Sequence, residues 1–304
     1  MRLSPLYAAA VFLLVACGSK TAESAAAAAA TKPGDGPAMW RVSDADSTIY
    51  LFGTFHILPS SVEWTTAAFD AAMKDTPATM TEVDTKSPDA QAKMAALVQE
   101  LGLNPPGVTL SGTLGEARAK RFAEIAGEYG APMAELEPLR PWLAMISLSV
   151  LIMQKEGFSA DSGAETTILA RAASEGDAVS HLESAEYQIR ALASLDESEI
   201  LADFDSSLDQ LAEFDAFAGR VLSAWRKGDV AALEKETLAP MRETAPGAFK
   251  TLIADRNRNW ALEIEKILAG DDDVFIAVGA GHLVGEGSVV DLLEDKGFSV
   301  RRVQ

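Results

Sequence analysis

Two short apolar runs, one near each end of the chain, finish in the same four-residue pattern. Ile49-Tyr50-Leu51-Phe52 runs into Gly53-Thr54-Phe55-His56, and Phe275-Ile276-Ala277-Val278 runs into Gly279-Ala280-Gly281-His282. Each run follows an acidic turn, Ser43-Asp44-Ala45-Asp46-Ser47 in the first case and Asp271-Asp272-Asp273 in the second. Short apolar runs bounded by turn residues are expected to be strands covered on both faces. A Gly-x-x-His at the carboxyl end of such a strand stands where open α/β sheets place their ligands. Glycine (Gly53, Gly279) lets the chain turn sharply and approach a bound group closely, and imidazole is both a common metal ligand and a base near neutrality. One such tetrapeptide carries no signal. Two in matched strand contexts call for a sheet that brings the ends of the chain side by side.

Weaker strands are expected at Thr79 to Val83, near Ala178 to Leu182, and at Phe298 to Val303. Helical spacing of apolar residues covers Trp64 to Lys74, Pro88 to Leu101, Gly115 to Glu128, Glu165 to Ser174, Ser206 to Lys227 and Phe249 to Ala269. Trp142 to Met153 is apolar apart from Ser147 and Ser149 and too short to span a bilayer, so it is expected to be a helix buried in the core. The expected fold class is therefore α/β, or α+β, with a mixed central sheet covered by many helices and the two Gly-x-x-His strand ends meeting at one site.

Chemistry at two imidazoles wants a carboxylate beside them. Glu82 is the best candidate, because it lies in the otherwise uncharged stretch Thr79 to Val83, where an ionised group is costly unless paired or coordinated. The competing reading puts Glu82 on the solvent face of an edge strand. Asp84 is a weaker candidate that also suits a turn, and His181, outside any Gly-x-x-His, reads as structural.

The first residues, Met1-Arg2 followed by an uncharged apolar stretch from Tyr7 and then Leu14-Val15-Ala16-Cys17, have the layout of a secretory signal. Cys17, the chain's single cysteine, stands where bacterial lipoproteins are cut and lipidated. The expected organisation is a signal peptide over 1–16, a lipidated Cys17 with an Ala-rich tether over 17–37, and one domain over 38–304, held at the envelope, facing the periplasm from an outer membrane. The formal net charge is −19, and loss of Arg2 with the signal makes it −19 − 1 = −20. Such an acidic body repels phosphate backbones and anionic head groups, which argues against nucleic acid as a partner and against membrane contact except through the lipid.

Trp40-Arg41-Val42, Tyr50-Leu51-Phe52-Gly53-Thr54-Phe55-His56, Glu82-Val83-Asp84, Asp161-Ser162-Gly163, His181-Leu182-Glu183, Asp255-Arg256-Asn257, Val278-Gly279-Ala280-Gly281-His282-Leu283-Val284-Gly285 and Gly297-Phe298-Ser299-Val300 together resemble the TraB/GumN family. Its relatives include the Tiki proteases and the erythromycin-esterase/ChaN-like superfamily. The resemblance implies one site holding both Gly-x-x-His motifs, a glutamate at Glu82 and an arginine at Arg256. Tiki members are metal-dependent peptidases associated with manganese or cobalt, whereas ChaN-like relatives bind haem. Family likeness fixes a site better than a reaction. The expectation is a metal-dependent hydrolase, peptidase-like, with His56, Glu82 and His282 as ligands of a divalent ion (Mn, Co or Zn). Glu82 and Arg256 would be the catalytic residues acting on a peptide or protein substrate, with Arg256 neutralising a substrate carboxylate or a developing oxyanion; the competing reading makes it a surface or salt-bridging arginine in the run Arg256-Asn257-Arg258-Asn259. The rival reading is an envelope protein that binds haem, a metal or a peptide in the same cleft without turnover. For the anchor, Cys17→Ser is expected to yield a soluble or uncut precursor, and a lipid-free wild-type protein in culture supernatant would contradict it.

Overall fold

The computed structural model describes residues 36–304; the expected signal, Cys17 and all but the last two residues of the expected tether lie outside the described residues. Gly36 and Pro37 are buried, and the Gln304 side-chain amide donates to the Pro37 carbonyl at 2.8 Å, so the packed body already includes them. No helix among the described residues is long and apolar enough to cross a membrane.

A six-stranded mixed sheet forms the centre. Its strands are β1 (Met39–Ser43), β2 (Thr48–Thr54), β4 (Ala78–Thr81), β6 (Ala178–His181), β7 (Val274–Gly279) and β8 (Ser299–Arg302), in the spatial order β6-β4-β7-β2-β1-β8. Two-residue strands β3 (Leu58–Pro59) and β5 (Phe158–Ser159) pair separately. β6, β4, β7 and β2 run parallel, while β1 is antiparallel to both β2 and β8. The two matched runs are direct neighbours, in register from Ile49↔Val274 to Thr54↔Gly279.

Every residue of β7 is buried, because helices cover both faces of the sheet. Val274, Ile276 and Val278 join Ile49, Leu51, Trp260, Ile264 and Leu268 in one layer. Phe275 and Ala277 join Phe52, Phe69 and Trp225 in the other, larger layer, which also takes the apolar helix Pro141–Lys155. That residue-by-residue alternation along a strand between two apolar layers is why neither run shows a polar face. The acidic turns are structural: Asp44 Oδ1 accepts from the Ser47 amide at 2.9 Å, and Asp273 Oδ1 accepts from the Thr48 amide at 2.6 Å, so one turn caps the neighbouring strand.

Some boundaries differ from expectation. The segment expected as one helix from Ser206 to Lys227 is two, Glu197–Ala212 and Phe214–Arg226, with the break at Glu213. The Phe249 to Ala269 helix begins with a turn at Pro246–Phe249, passes through a π-helical turn at Lys250–Ala254 and continues as Asp255–Leu268. β4 stops at Thr81, so Glu82 stands just beyond the strand end, and β4 lies between β6 and β7 rather than at an edge.

Because β7 bridges β2 and β4, truncation after Asp271 is expected to strip one hydrogen-bonded neighbour from each, splitting the sheet at its centre, and abolish cooperative unfolding. A fragment ending there that still melts sharply by circular dichroism would contradict this.

Candidate functional site

The four parallel strands end on one edge of the sheet, and each delivers a functional segment there. Glu183 follows β6, Glu82 follows β4, β7 ends at Gly279 and leads to His282, and β2 ends with Gly53 and Thr54 and leads to His56. The two motif glycines serve close packing rather than unusual backbone angles. A Cβ on Gly279 would stand 3.1 Å from Glu82 Oε1 and 3.6 Å from His282 Cδ2, and one on Gly53 would stand 3.1 Å from the Ala280 Cα and Cβ. The close approach allows the Gly279 amide to donate to Glu82 Oε1 at 2.6 Å, while a tight turn over Ala280–Leu283 presents His282.

Arg256 lies at the centre, 1 % exposed, in the first turn of Asp255–Leu268. A guanidinium has five N–H donors, and all five are spent on the protein. Nε donates to Glu183 Oε1 at 3.0 Å. Nη1 donates to the Leu252 carbonyl at 3.1 Å and to His282 Nε2 at 2.9 Å. Nη2 donates to Glu82 Oε2 and Glu183 Oε1, both at 2.6 Å. The Leu252 carbonyl comes from the π-helical turn just before Arg256, an irregularity of the kind that accompanies functional sites. Gln188 Nε2 adds a bond to Glu82 Oε2 at 3.1 Å, and Trp260 Nε1 one to Glu183 Oε2 at 3.2 Å. The Trp260 ring lies 4.6 Å from the Arg256 Cζ and 4.4 Å from the His282 ring.

His282 is held as a neutral imidazole. Burial, then the Arg256 charge, then His56 push its pKa well below the ordinary 6.5. Since Nε2 accepts from Arg256, the proton is on Nδ1, which donates to Asn257 Oδ1 at 2.6 Å; the Asn257 amide is oriented by its own bond to the Gly287 carbonyl at 2.9 Å. Burial raises the Glu183 pKa, opposed by Arg256 and reinforced by Glu82. For Arg256 itself, burial works against the cation, but Glu82 and Glu183 outweigh it and its pKa rises.

His56 has a different environment. The Asp161-Ser162-Gly163 segment docks on its backbone so closely that a Cβ on Gly163 would stand 2.0 Å from the His56 carbonyl oxygen, and the Ala164 amide donates to the Phe55 carbonyl at 2.9 Å. This brings Glu165, in the first turn of Ala164–Glu175, to 2.6 Å between Oε1 and His56 Nδ1. Thr54 Oγ1 donates to the same oxygen. Burial disfavours the imidazolium, yet the charge and hydrogen bond of Glu165 outweigh it and the His56 pKa rises. Glu165 is pushed up by burial and down by more through His56 and Thr54, for a net lowering. His56 Nε2 and Glu165 Oε2 are buried and have no hydrogen-bond partner. The neighbouring wall is fixed by Trp225, stacked on Phe55 at 5.0 Å, with Nε1 donating to the Gly53 carbonyl at 2.7 Å.

Of the residues expected at the site, the structure brings Glu82, Arg256 and His282 into direct contact. His56 pairs with Glu165 instead, close enough for the charges of Glu82 and Arg256 to act on it. As a metal-ligand set these groups do not fit in this arrangement. Both oxygens of Glu82 and both nitrogens of His282 are taken by protein donors and acceptors, and no group of three His, Cys, Asp or Glu among the described residues could hold a metal ion. Arg256 likewise has no N–H left for a substrate oxygen. Asp84 sits in a turn, its Oδ1 accepting from the Lys86 and Ser87 amides, and His181 Nδ1 bonds Thr81 Oγ1 at 2.8 Å. Glu165 and Gln188 carry no signal in the sequence, and Glu183 and Asn257 stand there only inside the family-like stretches, without a role assigned to them. A small pocket of about 10 Å³, the scale of one water molecule, borders Arg256 between Gln188, Ala191, Leu192 and Leu252.

The two histidines set opposite pH limbs of stability. The depressed pKa of His282 gives a contribution complete above about pH 6.5 and lost as pH falls toward its folded value. The raised pKa of His56 gives one complete below about pH 6.5 and lost as pH rises through its folded value. Thermal melts across this range are expected to peak near neutrality, with the acid limb flattened by His282→Gln and the alkaline limb by His56→Gln. An acid limb unchanged in His282→Gln would show that His282 is not held neutral.

Comparison with curated proteins and with solved structures gave no match. The TraB/PrgY/gumN family profile matches residues 38–302, a span that takes in all six sheet strands and every residue of both histidine environments. With nearly the whole described body covered, the chain belongs to the TraB/PrgY/gumN family.

Proposed function

We propose that the domain is a hydrolase of carbonyl substrates, peptides foremost, with His56 as its general base. The observation that carries this reading is the buried His56 ring, fixed through Nδ1 by Glu165 and unpartnered at Nε2. A base needs one nitrogen held and the other free to take a proton. In the proposed reaction Nε2 takes a proton from the attacking water, Glu165 stabilises the imidazolium so formed, and the proton then passes to the leaving group. Glu165 is a positioning residue in this scheme. The Arg256 cluster holds the β4, β6 and β7 strand ends that wall the site, while Glu165 supplies the dominant charge on His56. Export and attachment through Cys17 would put this activity in the envelope, in keeping with an acidic surface unsuited to nucleic acid.

A second reading rests on the same nitrogen. An imidazole whose other nitrogen bonds a carboxylate is also the usual form of a metal-ligating or haem-ligating histidine. A Soret shift on haem addition that disappears in His56→Ala would favour binding over turnover.

Incubation of purified protein with a defined peptide mixture, read by mass spectrometry, is expected to show cleavage that falls by about 10²- to 10⁴-fold in His56→Gln. kcat/KM is expected to rise with pH through the raised His56 pKa, and Glu165→Gln to move that limb to lower pH, which a merely structural role would not do. Cleavage unaffected by His56→Gln would overturn the proposal.

A further inference from the structure

A carboxylate enclosed at the end of a parallel sheet requires a cation. In this protein the cation facing Glu82 is a side chain. Glu82 Oε2 and Glu183 Oε1 each lie 2.6 Å from Arg256 Nη2, and His282 Nε2 lies 2.9 Å from Nη1. The remaining positions on the same acceptors are filled by the Gly279 amide on Glu82 Oε1 and by Gln188 on Oε2, while Asn257 takes the His282 Nδ1 proton.

We propose that Arg256 is the resident cation of the Glu82–Glu183–His282 cluster, occupying the position a divalent ion would need, so that the wild-type cluster excludes such an ion. Removing the guanidinium would convert the cluster into a site of two carboxylates and one imidazole. Three physical points support this. A guanidinium stays protonated at any ordinary pH, so proton loss cannot vacate the position. A divalent ion a few ångströms from a buried guanidinium meets strong repulsion in a low dielectric. The two terminal nitrogens also spread the three acceptors more widely than the roughly 2.0–2.2 Å radius at which a transition metal gathers N and O ligands. Among the described residues no His, Cys, Asp or Glu triplet has that convergence. The inference concerns ion occupancy alone and stands whether or not His56 supports hydrolysis.

The test uses the chelator-stripped wild-type protein with Arg256→Ala, Arg256→Lys and Glu82→Gln. Each is titrated by calorimetry with manganese, cobalt and zinc chlorides and assayed for bound metal after gel filtration. Wild type is expected to show no stoichiometric binding that depends on Glu82. Arg256→Ala is expected to bind one equivalent at least about tenfold tighter than wild type, with the gain lost when Glu82→Gln is added. Arg256→Lys, which keeps the charge, is expected to behave as wild type. One equivalent bound by wild type and lost in Glu82→Gln would overturn the proposal, as would a folded Arg256→Ala that gains nothing. Removing a partner from a buried ion cluster costs about 3–5 kcal/mol, so Arg256→Ala could unfold. In that event the paired wild-type and Glu82→Gln titrations decide alone, Glu82-dependent metal refuting the proposal and its absence upholding it.

Discussion

Arg256 carries a charge that it cannot shed into a place with almost no water, and this condition organises the end of the sheet. Burying an ion is expensive unless its donors and its counter-ions are all in place. Here Glu82 comes from the end of β4, Glu183 from the end of β6 and His282 from the turn after β7, while Arg256 rides on a helix between β6 and β7 in sequence. Each group is tolerable only because the other three have arrived. The cluster therefore ties residues from four distant stretches to one register of one sheet, and its members cannot be satisfied in partly assembled states.

The same requirement explains the composition of the surrounding shell. A neutral His282 can accept from Arg256 only if its proton is on Nδ1, so Asn257 must present oxygen, and the Gly287 carbonyl holds it that way. Trp260, one helical turn after Arg256, covers the guanidinium with its ring face and directs its N–H to Glu183. The π-helical turn at Lys250–Ala254 also contributes, since its Leu252 carbonyl takes one of the two Nη1 protons. A fifth donor without an acceptor would be a buried orphan, and orphans of that kind are costly.

Legibility in the sequence depended on which signals are local. The strands β2 and β7 could be read because a run covered on both faces is apolar at every position, and their adjacency because the motif repeats. Glu82 stands out because a carboxylate in an apolar stretch demands a partner, and in the folded chain Arg256 faces it. Glu165 and Glu183 gave no such signal. An acidic residue in the first turn of a helix is ordinary on electrostatic grounds, and Glu165 sits there. Glu183 comes after a strand whose own residues are largely exposed, so nothing nearby marks it as buried. The π-helical turn was invisible for a related reason: it keeps helical spacing on both sides and changes only one hydrogen-bond step. The break at Glu213 likewise leaves the apolar pattern intact.

The two Gly-x-x-His motifs are equals in sequence and have opposite chemistry in the folded chain. Both glycines serve the same steric purpose, letting the chain turn off a strand against a close neighbour. The fate of each ring then depends on the partner that the tertiary fold supplies to it. His282 meets a guanidinium and an amide, so both nitrogens are used and the ring is pinned in its neutral form. His56 meets one carboxylate, so its cationic form is favoured and Nε2 is left over. A motif can fix where an imidazole stands, but its charge state is set by whichever ionised group reaches it from elsewhere in the chain. At the His56 end that group is Glu165, delivered by a segment so tightly docked that only glycine fits at position 163. The difference between a structural and a reactive histidine in this protein thus comes from Arg256 and Glu165, neither of which belongs to the motif.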